Sequence, residues 1–146
     1  MVFKNETQLK AFLLPKCRNA LAKAQAQVYQ IIDRFVKEYY AEFSPEMYER
    51  TYQLYQSLVK SEIVSTGNGF EARVYFDLGS LDYVTGARPS GEQVMGAAEF
   101  GRHGAMGLAV ADFKGTSIWH EPKAILDAQA IEILKKMLIS EGIPIV

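Results

Sequence analysis

The sequence predicts an α+β domain: a small antiparallel β-sheet packed against a long N-terminal helix and a C-terminal helix, with long Gly-rich loops. Three observations carry this. Glycine is absent from residues 1–66, occurs ten times between 67 and 115, and returns only at Gly142, so two helix-compatible ends flank a middle of strands and turns. Apolar residues near the N-terminus recur at three- and four-residue steps. Those of residues 70–77 alternate.

The first element is a helix over about 5–43. Leu9, Leu13, Cys17, Ala20, Ala24, Val28, Ile31, Phe35 and Tyr39 form its stripe, widened by Leu21, Ile32 and Val36. Pro15 is expected to kink the helix or mark its true start, because proline removes one hydrogen bond and crowds the preceding turn. From residue 16 to 43 the helix would be roughly 40 Å long, enough to cross a domain of this size, and anything before Pro15 would project. Ser44-Pro45 closes it or opens a short turn. The next stretch, residues 44–62, reads equally as helix or strand. Ile63–Thr66 and Phe70–Leu78 read as strands around the turn Gly67-Asn68-Gly69. Phe70, Ala72, Val74 and Phe76 alternate with Glu71, Arg73, Tyr75 and Asp77, which gives one buried and one wet face. Residues 79–93 and 102–118 read as loops. A closing helix spans about 122–140, with Pro122 at its first position and Gly142 and Pro144 beyond its end. Its apolar face of Leu126, Ala130, Ile133, Leu134, Met137 and Leu138 is expected to pack on the sheet. The whole chain, 1–146, is thus one domain with sheet and loops over about 50–119.

Composition narrows the function. Hydrophobic residues make up 49% and charged residues 23%, a folding rather than a disordered balance. The net charge of -1 offers no basic excess for sequence-specific nucleic-acid binding, and no run reaches the roughly 20 apolar residues of a membrane span. A lone Cys17, expected to be a small buried thiol, excludes an internal disulfide. The absence of a signal-like start adds the expectation of a protein made in a reducing cytoplasm.

The remaining polar residues form no recognisable catalytic or metal-binding pattern. His103 and His120 have Glu99, Asp112 and Glu121 nearby in sequence, but no pair has the i, i+4 spacing of helical metal ligands. Cys17 lies on an apolar face with no histidine near it in sequence, the setting of an inert structural thiol. Neither a nucleophile elbow nor a phosphate loop occurs, and Gly101, Gly104 and Gly107 do not follow the dinucleotide fingerprint. Asp77 and Asp82 read as solvated acids at a strand end and loop. The expectation is a non-enzymatic protein without cofactor or metal. Five of the eight tyrosines fall between Tyr39 and Tyr55, with Phe43 and Arg50 among them. Tyrosine and arginine anchor interfaces, so this cluster is either an assembly surface or a core seam with hydroxyls at its edge.

From Pro45 onward the chain resembles the gene-product-ten-like neck and tail-completion proteins of long-tailed bacteriophages. In that family a proline is followed by a Thr-Gly-x-Leu-x-x-Ser run entering the sheet. Here Thr51, Leu54 and Ser57 match, Tyr52 stands in place of the glycine, and Tyr48-Glu49-Arg50-Thr51 looks like variants from phages of Gram-positive hosts. Ala97-Ala98-Glu99-Phe100-Gly101 resembles the family's Glu-Phe-Gly approach, and Trp119-His120-Glu121-Pro122 its entry to the closing helix. Order and spacing agree over roughly 100 residues.

The resemblance implies a virion protein of the neck or tail, made in the host cytoplasm. It would form a homo-oligomeric ring on assembly, from a free form that is possibly monomeric, and join a head connector or stopper protein to a tail-tube or tail-terminator protein. Its expected assembly surface comprises Tyr48, Arg50, Tyr52, Tyr55, Arg88, Glu99, Phe100, Arg102 and Trp119. Two rivals remain open from the residues alone: a cytoplasmic domain binding a small ligand between sheet and helix, and a small metal-dependent hydrolase using His103 and His120.

Overall fold

The structure, a computed structural model, describes residues 2–42, 56–77, 102–105, 108–112 and 120–145. Among these the order is α1 (Glu6–Glu42), β1 (Leu58–Lys60), β2 (Val64–Thr66), β3 (Gly69–Glu71), β4 (Val74–Phe76), β5 (Arg102–Ala105), β6 (Leu108–Asp112) and α2 (His120–Ser140). The α+β class is as the sequence predicts.

Helix α1 begins where its capping chemistry dictates. The Asn5 side-chain oxygen accepts from the Gln8 backbone N–H at 2.9 Å, and the Gln8 side chain reaches back to accept from the Lys4 N–H at 3.0 Å. This is a capping box displaced by one residue. Glu6 in the first turn complements the helix dipole, and Phe3 folds back onto Phe12 with ring centroids 5.2 Å apart. Proline at position 15 does not end the helix, which runs unbroken for 37 residues, about 55 Å. Pro15 and Ala11, whose carbonyl loses its helical partner, are both exposed, so that carbonyl is open to solvent rather than buried without a partner.

Helix α2 ends in a full Schellman motif. Gly142 takes a φ of 82°, its N–H donates to Ile139 O at 2.9 Å, and the Ile143 N–H donates to Leu138 O at 3.0 Å. The helix starts at His120, two residues before the expected position, which leaves Pro122 still inside the first turn, where it needs no N–H partner. Its main partner is α1 rather than a strand pair. The expected packing on the sheet is therefore replaced by a helix pair, with Ile133 buried.

The strands form three antiparallel pairs: β1 with β4, β2 with β3, and β5 with β6. The first two lie end to end as one interrupted ribbon. Leu58 opposes Phe76 and Lys60 opposes Val74; beyond the interruption Val64 opposes Glu71 and Thr66 opposes Gly69. Three residues, 61–63, thus face two, 72–73. The single extra residue is a bulge that changes the parity of the first strand. It keeps Ile63 on the half-buried face with Phe70, Ala72, Val74 and Phe76, and leaves Val64 outside with Glu71, Arg73 and Tyr75. The predicted alternation over 70–77 is present in burial. The predicted continuous strand is not, because its partner carries the insertion.

Other expectations are revised in detail. Gly67-Asn68 form the turn, while Gly69 already pairs with Thr66, and neither glycine uses a left-handed φ. In the ambiguous stretch, residues 56–57 are helical and the chain becomes extended at Leu58; residues 44–55 lie outside the described residues. The segment 102–118, read as a loop, contains the β5–β6 hairpin. Arg102 opposes Asp112 and His103 opposes Ala111, with a register shift between His103 and Gly104. Glycine there accommodates an irregular ladder rather than a loop. Cys17 is half-buried, not fully buried.

Among the described residues the buried apolar side chains are Ala20, Ala24, Ile32, Phe35 and Val36 of α1, Leu58 of β1, and Pro122 and Ile133 of α2. Most come from α1, which touches both α2 and the ribbon and so forms the spine of the fold.

Candidate assembly surface

Two polar junctions tie the other elements to α1. At the first, Gln25 lies level with the interruption in the ribbon. Its side-chain amide donates to the carbonyls of Ser61 and Arg73, each at 2.9 Å. The Ser61 N–H donates to Arg73 O at 2.9 Å, and the Arg73 N–H donates to Ser61 Oγ at 2.7 Å. The bulge would otherwise leave backbone groups without ladder partners, and one glutamine and one serine hydroxyl supply them. Nearby, the Lys60 ammonium sits over the Tyr29 ring at 5.3 Å from its centroid.

At the second junction α1 grips the C-terminus of α2. Lys16 Nζ donates to the Glu141 carbonyl at 2.8 Å, Lys23 Nζ pairs with the Glu141 carboxylate at 2.5 Å, and Lys23 also reaches Ser140 Oγ at 3.3 Å. Two ammonium groups at a helix C-terminus meet the negative end of its dipole. The Glu141 carboxyl is held below the usual glutamate value. The hydrogen bond from Lys23 is the main cause; desolvation opposes it, and the Lys23 charge, a hydrogen bond from Asn19 and the Lys16 charge add to it. A depressed carboxylate stabilises the fold above its unfolded-state value and loses that contribution as pH falls through the folded one. Stability should therefore drop as pH is lowered from about 4.3 toward and through the depressed value. Thermal melts of the wild type and Glu141→Gln across this range should show a flatter acid limb for the variant; equal slopes would mean that Lys23 and Glu141 contribute nothing to this dependence.

Because Glu141 lies at Lys16 and Lys23 while Met137 shares a groove with Gln27, Gln30 and Arg34, the two helices run antiparallel. That groove, about 540 Å³ in volume, is open and carries Lys23 and Arg34 at its rim. Beyond Lys16, α1 runs on past the point where α2 turns off at Gly142. This N-terminal arm exposes Leu9 and Leu14, preceded by Val2.

Of the residues expected to form the assembly surface, Tyr48, Arg50, Tyr52, Tyr55, Arg88, Glu99, Phe100 and Trp119 lie outside the described residues. Arg102 opens β5 opposite Asp112. His103 lies in the same strand, whereas His120 begins α2. The residues that sequence reasoning missed are Gln25, Lys16, Lys23 and Glu141. Gln25 had a visible signal, since it interrupts the apolar series Leu21, Val28 and Ile32 on one helical face. The lysines had none, because their partners lie more than a hundred residues away.

The fold and its junctions define a small α+β protein in which one long helix carries both a β-ribbon and a shorter antiparallel helix. The chain belongs to the YomN family, whose profile matches residues 5–139, from the cap of α1 to the last turn of α2. YomN is a phage-type family. No curated protein and no solved structure matches the chain.

Proposed function

We propose that this protein is a structural, non-enzymatic component of the phage particle that acts at the neck or tail, completing the tail or joining head to tail as a ring of identical copies. The observation that carries the reading is the α1 arm. It continues beyond its own α2 with Leu9 and Leu14 exposed, which gives each copy a helix end able to cross to a neighbour. The phage-type family and the motif resemblance around Thr51, Leu54 and Ser57 support the same role. A closed ring requires two different complementary patches on each copy. The arm supplies one, and the segment Tyr48–Tyr55 is the proposed source of the other. The partners are further copies, a head connector or stopper protein, and a tail-tube or tail-terminator protein.

The test is electron microscopy of lysates from a phage or prophage lacking the gene. Filled heads beside separate tails of normal length are the expected result; intact infectious particles would remove the protein from the essential structure of the virion. Tyr52→Ser with Tyr55→Ser should then give soluble protein that fails to complement, whereas an unfolded variant would assign those tyrosines to the core.

A further inference from the structure

Helix α2 is apolar on two opposite sides. One side, with buried Ile133 and half-buried Leu126 and Met137, packs on α1. The other is centred on Ile131, which is 71% exposed, with Leu134 at 36%. At 100° per residue the outward positions within about 60° of Ile131 are 120, 124, 127, 128, 134, 135 and 138. A helix with apolar residues on both sides is ordinarily covered on both.

We infer that this outward face binds the same face of a second copy, as an antiparallel, twofold-symmetric helix pair with Ile131 on the axis. The argument is self-complementarity. An antiparallel pair with Ile131 facing Ile131 sets residues whose numbers sum to 262 opposite one another. Ala124 then comes level with Leu138 and Ala128 with Leu134, while Ile131 meets its own symmetry mate on the axis. Asp127 faces Lys135, so each acid meets a base, twice by symmetry. Both side chains are exposed, and among the described residues each pairs with a neighbour in its own helix: Asp127 with Lys123 at 2.8 Å and Lys135 with Glu132 at 3.1 Å. A one-turn shift of register would break the charge pairing, since Asp127 would no longer lie level with Lys135. This contact goes beyond the proposed ring, since one patch meets itself instead of a different patch, and it stands or falls separately.

A single helix pair lies at the small end of specific interfaces, so a dissociation constant on the order of 10 μM is expected. Sedimentation velocity of the full chain should show a monomer–dimer equilibrium in that concentration range, and Ile131→Glu should remain monomeric with an unchanged circular dichroism spectrum. The register is tested by charge exchange. Asp127→Lys and Lys135→Asp should each weaken the dimer about tenfold, and the two together should return it to within about threefold of wild type. A wild type that stays monomeric overturns the inference, because the face is then covered by the chain itself or by another protein. So does an oligomer that Ile131→Glu leaves intact, or a double exchange no better than the single ones.

Discussion

Phe35→Ala should cost about 3–5 kcal/mol of folding stability, a large share of the roughly 5–15 kcal/mol that a domain has. Phe35 is the bulkiest of the buried apolar side chains among the described residues, with 7% of its surface accessible, and it lies on α1 between Ile32 at 3% and Val36 at 0%. Removing its ring takes apolar area out of the core and leaves a cavity that flanking helix positions cannot fill, because their side chains are committed to their own rotamers. Urea unfolding followed by far-ultraviolet circular dichroism should show a lower midpoint with an unchanged slope. Phe35→Leu should recover most of the loss. A cost below about 1 kcal/mol for the alanine variant would mean that the surroundings collapse around the site, and that α1 is not the rigid spine of the fold.

The second large effect is expected at Gln25, for the opposite reason: a polar group does the work. Gln25→Leu keeps the volume but takes the donor away from the Ser61 and Arg73 carbonyls, and should cost about 1–2 kcal/mol. Gln25→Glu should cost more at neutral pH, since a carboxylate would face two carbonyl oxygens. Its penalty should shrink in acid. A carboxyl facing acceptors has its folded-state pKa raised, so the protonated form, which regains one donor, is favoured below the ordinary glutamate range, and that benefit is lost as pH rises through the raised value. Urea midpoints of the three proteins between about pH 4.5 and about pH 7.5 should separate most at the upper end. A pH-independent gap between Gln25→Glu and wild type would show that the side chain does not face the ribbon carbonyls.

These two residues also mark how far local sequence reaches. Phe35 was readable as core from the three- and four-residue recurrence of α1, since a 3.6-residue period places it on the same face as Ala24, Val28 and Ile32 whatever that face touches. Gln25 was readable only as an interruption of that face. Its partners are the carbonyls exposed by a bulge 36 and 48 residues away. The alternation of residues 70–77 disclosed which side of the ribbon is inward, but not that the opposite strand carries one residue more. The expected assembly residues between Tyr48 and Trp119 were legible only as residue types and short motifs, since local pattern does not encode which side chains meet on one surface.

By itself the sequence determined the two helices, their approximate extents and the α+β class. Glycine and proline placement, capping residues and period are short-range properties, decided by sterics and hydrogen bonds within a few residues. Only the tertiary structure decided that α2 lies antiparallel on α1, that a one-residue bulge is held by Gln25, and that Lys16 and Lys23 close on Glu141. Each of these is a contact between residues far apart in the chain. Its partner is selected by which complementary surfaces and unpaired backbone groups meet once the helices and ribbon pack, and no local pattern encodes that choice.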